Sequence, residues 1–86
     1  MINIVTLKAA QKFGPGYFIR EQMALCHWKQ EDLAPMLGIT VKHLNDILRD
    51  QQPLTLDIAC TLAKLFHTSA QYWVNLASGY QLWKAS

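Results

Sequence analysis

Lys42, Asn45 and Arg49 stand three and four residues apart, behind Thr40 and Val41 and downstream of Gln30. On a helix that spacing gathers an ammonium, an amide and a guanidinium toward one side. Such groups donate hydrogen bonds to phosphate oxygens or to the acceptor-rich edges of bases, and Val41 or the Thr40 methyl can touch a thymine methyl. Asn45 suits a two-bond contact to adenine, and Lys42 suits guanine or a phosphate. Gln30 opens an earlier helix, where its amide and the backbone N–H groups can meet a phosphate. Asp46 repels phosphate. Its expected role is to orient a neighbouring basic residue, although a carboxylate can also accept from cytosine.

Other chemistries find less support. Cys26, His27, His43, Cys60 and His67 match no zinc spacing, and neither Cys-x-x-Cys nor His-x3-His occurs, so no metal is expected. His27 and His67 each follow an apolar helical run. Histidine tolerates positive φ better than most side chains, which predicts both as helix C-caps. His43 is expected on the outer flank of its helix, and Cys60 as a small buried hydrophobe. No serine or cysteine stands beside a motif-placed histidine, and the six acidic residues are scattered. No enzyme and no cofactor is therefore expected, and no catalytic residue is assigned.

These residues need helices to position them. "GPG" at 14–16 separates an N-terminal head, residues 1–14, from the rest. The head reads equally as a short strand, an arm or a helical turn. A first helix is predicted over Tyr17–Cys26, with Phe18, Ile19, Met23 and Leu25 inward. A second runs from Gln30 to Leu37, its first turn carrying Glu31 and Asp32, which favour the helix dipole. Pro35 removes one hydrogen bond from that helix and predicts a bend or an irregular start. Gly38 supplies a positive-φ corner, and Thr40 caps a third helix to about Leu48, buried through Leu44, Ile47 and Leu48. Thr55 caps a fourth, inward at Leu56, Ala59, Leu62, Ala63 and Phe66. Thr68 and Gln71 have capping-box spacing for a fifth through Tyr80, weakened near its end by Gly79. The expected fold is all-α, five helices in one domain over residues 15–86.

Composition bounds the rest. At 86 residues and 51% hydrophobic the chain supports one modest core, and its formal charge of +2 permits nucleic-acid binding without arguing for it. No apolar run reaches membrane-spanning length, and "MINIVTLKAA" lacks a basic region leading into an apolar one, so a cytoplasmic protein with reduced thiols is expected.

Leu33, Ala34, Leu37, Gly38, Ile39, Leu44 and Ile47 fill the packing, crossing and turn positions of a helix-turn-helix that starts at Gln30. A generic helical bundle whose amphipathic spacing coincides is the alternative. The match widens with Pro15–Gly16 opening the first helix, with Trp28, and with Leu54–Thr55 before Ala59, Leu62 and Ala63. It widens further with the tail "TSAQYWVNL…YQLWKA". Over about residues 15–85 the sequence resembles the HigA-type antitoxins, small lambda-repressor-like (XRE-class) helix-turn-helix proteins.

That resemblance implies a homodimer that binds a palindromic operator in double-stranded DNA, represses its own operon and neutralises a RelE-like HigB toxin. It implies DNA contacts from Gln30, Thr40, Val41, Lys42, Asn45 and Arg49. Trp73, Leu76, Tyr80 and Trp83 share a stripe near the chain end. Trp73 and Leu76 suit the core, while for Tyr80, Leu82 and Trp83 a subunit interface is equally open. Members of that family often carry Arg or another polar residue where this chain has Val41 and Asp46, and a basic loop where it has "RDQQ". The substitutions imply fewer phosphate contacts. Two further readings stay open: a free-standing XRE-class regulator, such as one borne by a phage, and a protein-binding module that kept the fold without DNA binding.

Overall fold

The computed structural model describes residues 13–85, and the expected head over 1–14 therefore falls mostly outside the described residues. Five helices follow one another: α1 Pro15–Cys26, α2 Gln30–Leu37, α3 Val41–Leu48, α4 Leu56–Phe66 and α5 Ala70–Ala85. They enclose one core built from Ile19 and Met23 of α1, Leu33 and Ala34 of α2, Leu44, Ile47 and Leu48 of α3, Ile58, Ala59, Leu62 and Phe66 of α4, and Trp73 of α5. No helix is long and apolar enough to cross a membrane among the described residues.

Local chemistry sets most boundaries. The Thr40 hydroxyl accepts from the His43 N–H at 3.0 Å and the Thr55 hydroxyl accepts from the Ile58 N–H at 3.3 Å, as expected of N-caps. Asp32 reaches back to accept from the Lys29 N–H at 2.8 Å. α1, α2 and α4 end on left-handed residues, His27, Gly38 and His67. After each, the next N–H reaches five residues back: Trp28 to Met23, Ile39 to Ala34 and Thr68 to Ala63, at 2.9–3.1 Å.

Other expectations are corrected. α1 begins at Pro15 rather than Tyr17, because proline's fixed φ suits the first helical position. Leu25 is 74% exposed, since two residues beyond Met23 it points nearly the opposite way. Leu56 is 65% exposed and Ile58 is buried instead; helical side chains lean toward the N-terminus, so a first-position leucine projects past the helix end. Cys60 is exposed, turned about 100° from Ala59 and off the buried stripe. Ser69, not Thr68, caps α5 by accepting from the Tyr72 N–H at 3.1 Å. Thr68 is taken up by Trp73, whose indole donates to its hydroxyl at 2.7 Å. Gly79 does not end α5, which continues to Ala85. α2 is α-helical throughout, without the irregular start expected of Pro35. Glu31, whose carbonyl Pro35 leaves without its helical donor, is an exposed residue, so the orphaned acceptor sits on the solvent side of α2.

One junction was not read from the sequence. The N-terminus of α1 lies directly on the C-terminus of α3. A Cβ on Gly16 would collide with the Leu48 carbonyl oxygen, and one on Gly14 would collide with the Asp50 carboxylate. Asp50 adopts φ 57° and accepts from the Gly16 N–H at 3.1 Å. Its side chain supplies the cap that Gly14 cannot.

Gly16→Ala is expected to cost about 1–3 kcal/mol of unfolding free energy by urea denaturation, because backbone has to move to admit the methyl. His67→Gly is expected to gain about 0.5–1 kcal/mol in the same assay. Relief of the left-handed strain, about 1–2 kcal/mol, outweighs the added unfolded-state entropy.

Candidate nucleic-acid interface

α3 is amphipathic, with Leu44, Ile47 and Leu48 buried and Val41, Lys42 and Arg49 exposed. Lys42, Asp46 and Arg49, at i, i+4 and i+7, face directly away from the buried stripe, and Val41 and Asn45 flank them. The helix is held at both ends. Its start is fixed by the Gly38 corner and the Thr40 cap, and its end by the Gly16 contact.

The expected contact residues fall on this surface in three different conditions. Gln30 and Asn45 come together across the two-helix unit, with Gln30 Nε2 donating to Asn45 Oδ1 at 3.4 Å. That length is weak for an N–H···O bond, so the contact aligns two amides more than it stabilises them. Lys42 pairs with Asp46, Nζ to Oδ2 at 3.2 Å, which bears out the expected orienting role of the carboxylate. An exposed i, i+4 pair contributes only about 0.3–0.5 kcal/mol. Thr40 is committed first to capping, while Val41 is 42% exposed and Arg49, the C-cap residue of α3, is exposed.

A shallow polar cleft of about 300 Å3 lies beside the helix start, lined by Thr40, Lys42, His43, Asp46 and Gln52. Sequence reading placed His43 on this flank but missed Gln52, which follows α3 in a loop with no periodic signal. Among the described residues no cluster of three or more His, Cys, Asp or Glu converges as a metal site. The Tyr72 hydroxyl is held above its ordinary pKa by burial and then by the Glu21 carboxylate. It belongs to α5, away from the outer face of α3.

At the other end of the chain, Tyr80 and Trp83 stack with ring centres 6.1 Å apart, and Lys84 lies 5.4 Å over the Tyr80 ring. Leu82 and Trp83 are 69% and 45% exposed. Tyr80 and Leu82 also line a larger groove of about 480 Å3 whose opposite wall includes Pro15, Pro53 and Leu54.

The helix-turn-helix family profile (HTH_3) matches residues 19–73, well over half of the chain. The chain belongs to the XRE-type helix-turn-helix family. This helix-turn-helix protein is similar in structure to the Pseudomonas aeruginosa antitoxin HigA solved with the higBA promoter, at 36% identity and a TM-score of 0.79. That match covers 86% of this chain and 82% of the other. It is also similar to an addiction module antidote protein of a HigA family from Coxiella burnetii, at 30% identity, a TM-score of 0.74, and 83% and 78% coverage. These neighbours fit the HigA-type resemblance and the lambda-repressor-like fold. An uncharacterized HTH-type transcriptional regulator of Haemophilus influenzae is 34% identical over 55 residues, 64% of this chain and 51% of that protein. The chain spans from about half to just under two thirds of the length of the curated relatives it matches. The family is one of DNA-binding regulators and antitoxins, generally without enzymatic activity.

Because the Gln30–Asn45 contact is long and half-exposed, Gln30→Ala is expected to change unfolding free energy by less than about 0.5 kcal/mol. Thermal and urea unfolding of the two proteins check this.

Proposed function

We propose that this helix-turn-helix protein is a DNA-binding antitoxin of a toxin–antitoxin pair. In this reading it binds a palindromic operator as a homodimer, represses its own operon and neutralises a RelE-like, HigB-type toxin in the cytoplasm. The observation that carries the reading is the likeness, over most of both chains, to an antitoxin solved on its own promoter. The geometry supports it: α3 presents Val41, Lys42, Asn45 and Arg49 outward, with Gln30 at the start of the preceding helix. In this proposal residues 15–86 act as the DNA-binding domain.

In this account Asn45 reads a base edge, Val41 contacts a thymine methyl, and Gln30, Thr40 and Arg49 meet phosphates around it. Tyr80, Leu82 and Trp83 form the subunit interface, where the exposed Leu82 and Trp83 near the end of α5 suit self-association. A two-fold dimer sets two α3 helices about 34–36 Å apart, one helical turn of DNA. The curated relatives include transcriptional regulators named without a toxin, which favours a free-standing regulator of the same fold as the second reading.

Fluorescence anisotropy against the chain's own promoter, across a salt series, tests DNA binding. Lys42→Ala and Asn45→Ala are each expected to cost about 1–3 kcal/mol of binding. Loss from neither points to the wrong face, and no sequence-specific complex at low salt favours a protein-binding module. Sedimentation of Trp83→Glu is expected to shift the dimer toward monomer. Co-purification with the product of the adjacent gene separates an antitoxin from a free-standing regulator.

A further inference from the structure

The centre of the outward face of α3 is occupied by a zwitterion. Lys42 and Asp46 sit one helical turn apart, both opposite the buried stripe, with Nζ and Oδ2 3.2 Å from one another. The two partners are held very differently. The Lys42 side chain is 85% exposed, whereas the Asp46 side chain is 21% exposed and lines the shallow cleft with His43 and Gln52. A carboxylate at this point opposes every nearby phosphate, so it lowers general affinity for DNA. Its chemistry suits a hydrogen-bond donor instead, and in the major groove the amino group of cytosine is one.

A G·C pair presents that donor next to an acceptor. The cytosine N4 amino group and the guanine O6 are joined by a Watson–Crick hydrogen bond, so they are separated by about the usual N–H···O distance of 2.9 Å. The Lys42–Asp46 pair offers the complementary couple at nearly the same separation, donor facing acceptor and acceptor facing donor. An A·T pair also has a donor beside an acceptor, but it offers the ammonium one acceptor there, with the thymine methyl crowding it. Guanine offers both O6 and N7.

We infer that Lys42 and Asp46 read one G·C pair in each half-site as a unit, Lys42 donating to guanine O6 and N7 and the Asp46 carboxylate accepting from cytosine N4. This rests on the DNA-binding reading above and adds the base pair to it. Asp46 is then a specificity-determining residue that weakens overall binding and sharpens it at one position.

The test is enrichment of bound duplexes from a random-sequence library by the wild-type chain and by Asp46→Ala, followed by anisotropy on single base-pair substitutions. The wild type is expected to fix a G·C pair in each half-site, with at least a tenfold penalty for A·T there. Asp46→Ala is expected to relax that position alone to below threefold, to bind the remaining sequences more tightly, and to show a steeper salt dependence. Lys42→Ala is expected to relax the same position. If the wild type enriches a specific sequence and Asp46→Ala leaves every position's preference unchanged, the paired readout is wrong while DNA binding stands. If the wild type enriches no sequence, the DNA-binding reading fails and this inference with it.

Discussion

The contact of Gly16 with the Leu48 carbonyl is the constraint on which the placement of α3 and its outer face depends. An eight-residue helix such as α3 has no stability of its own in water, because so short a helix does not recover its nucleation cost. Its direction is therefore set by what grips its ends. Gly38 and Thr40 fix the start. The other end is pressed against the first turn of α1, an approach that only a residue without a side chain permits. Asp50, one residue beyond the C-cap, turns into the left-handed region and caps α1 from the same spot. One junction thus satisfies one helix's first N–H group, that of Gly16, and fixes the pitch of the other.

What α3 then presents is modest in charge and specific in placement. Lys42 is tied to Asp46, Asn45 is met by Gln30, and Thr40 is spent on its cap. In the proposed DNA-binding role, a surface of this kind gains little from counterion release and depends on hydrogen bonds that match base edges. Placement matters most where charge is scarce. In that proposal the hydrophobic packing behind α3 and the junction at its end belong to the recognition chemistry, since a small rotation of α3 would re-aim its outward side chains.

Much of this was legible in residue order because the determinants are local. Thr40, Thr55 and Gly38 act within three to five residues, and His27 and His67 announce helix ends by following apolar runs. The i, i+4 spacing of Lys42 and Asp46 is likewise a short-range signal. The misses come from interactions that spacing does not encode. Asp50 and Gly16 are 34 residues apart, so no pattern links the "RDQQ" loop to "GPG". Thr68 has the right spacing to cap α5, yet the Trp73 indole takes its hydroxyl and Ser69 caps instead. Leu25, Leu56 and Cys60 were misplaced because a short apolar-rich helix fits more than one phase, and only its neighbours choose among them. Pro35 leaves α2 helical from Gln30 because the residue whose carbonyl it orphans, Glu31, is exposed, and spacing alone does not reveal that.

The claim that α3, steadied by α1 and served by the start of α2, is the surface that meets DNA is tested most directly by backbone amide NMR during titration with the promoter duplex. The account predicts the largest shifts at Gln30, Thr40 to Asp46 and Arg49, with α1 and α5 changing little. Shifts concentrated on α1 or α5, with α3 silent, would contradict it.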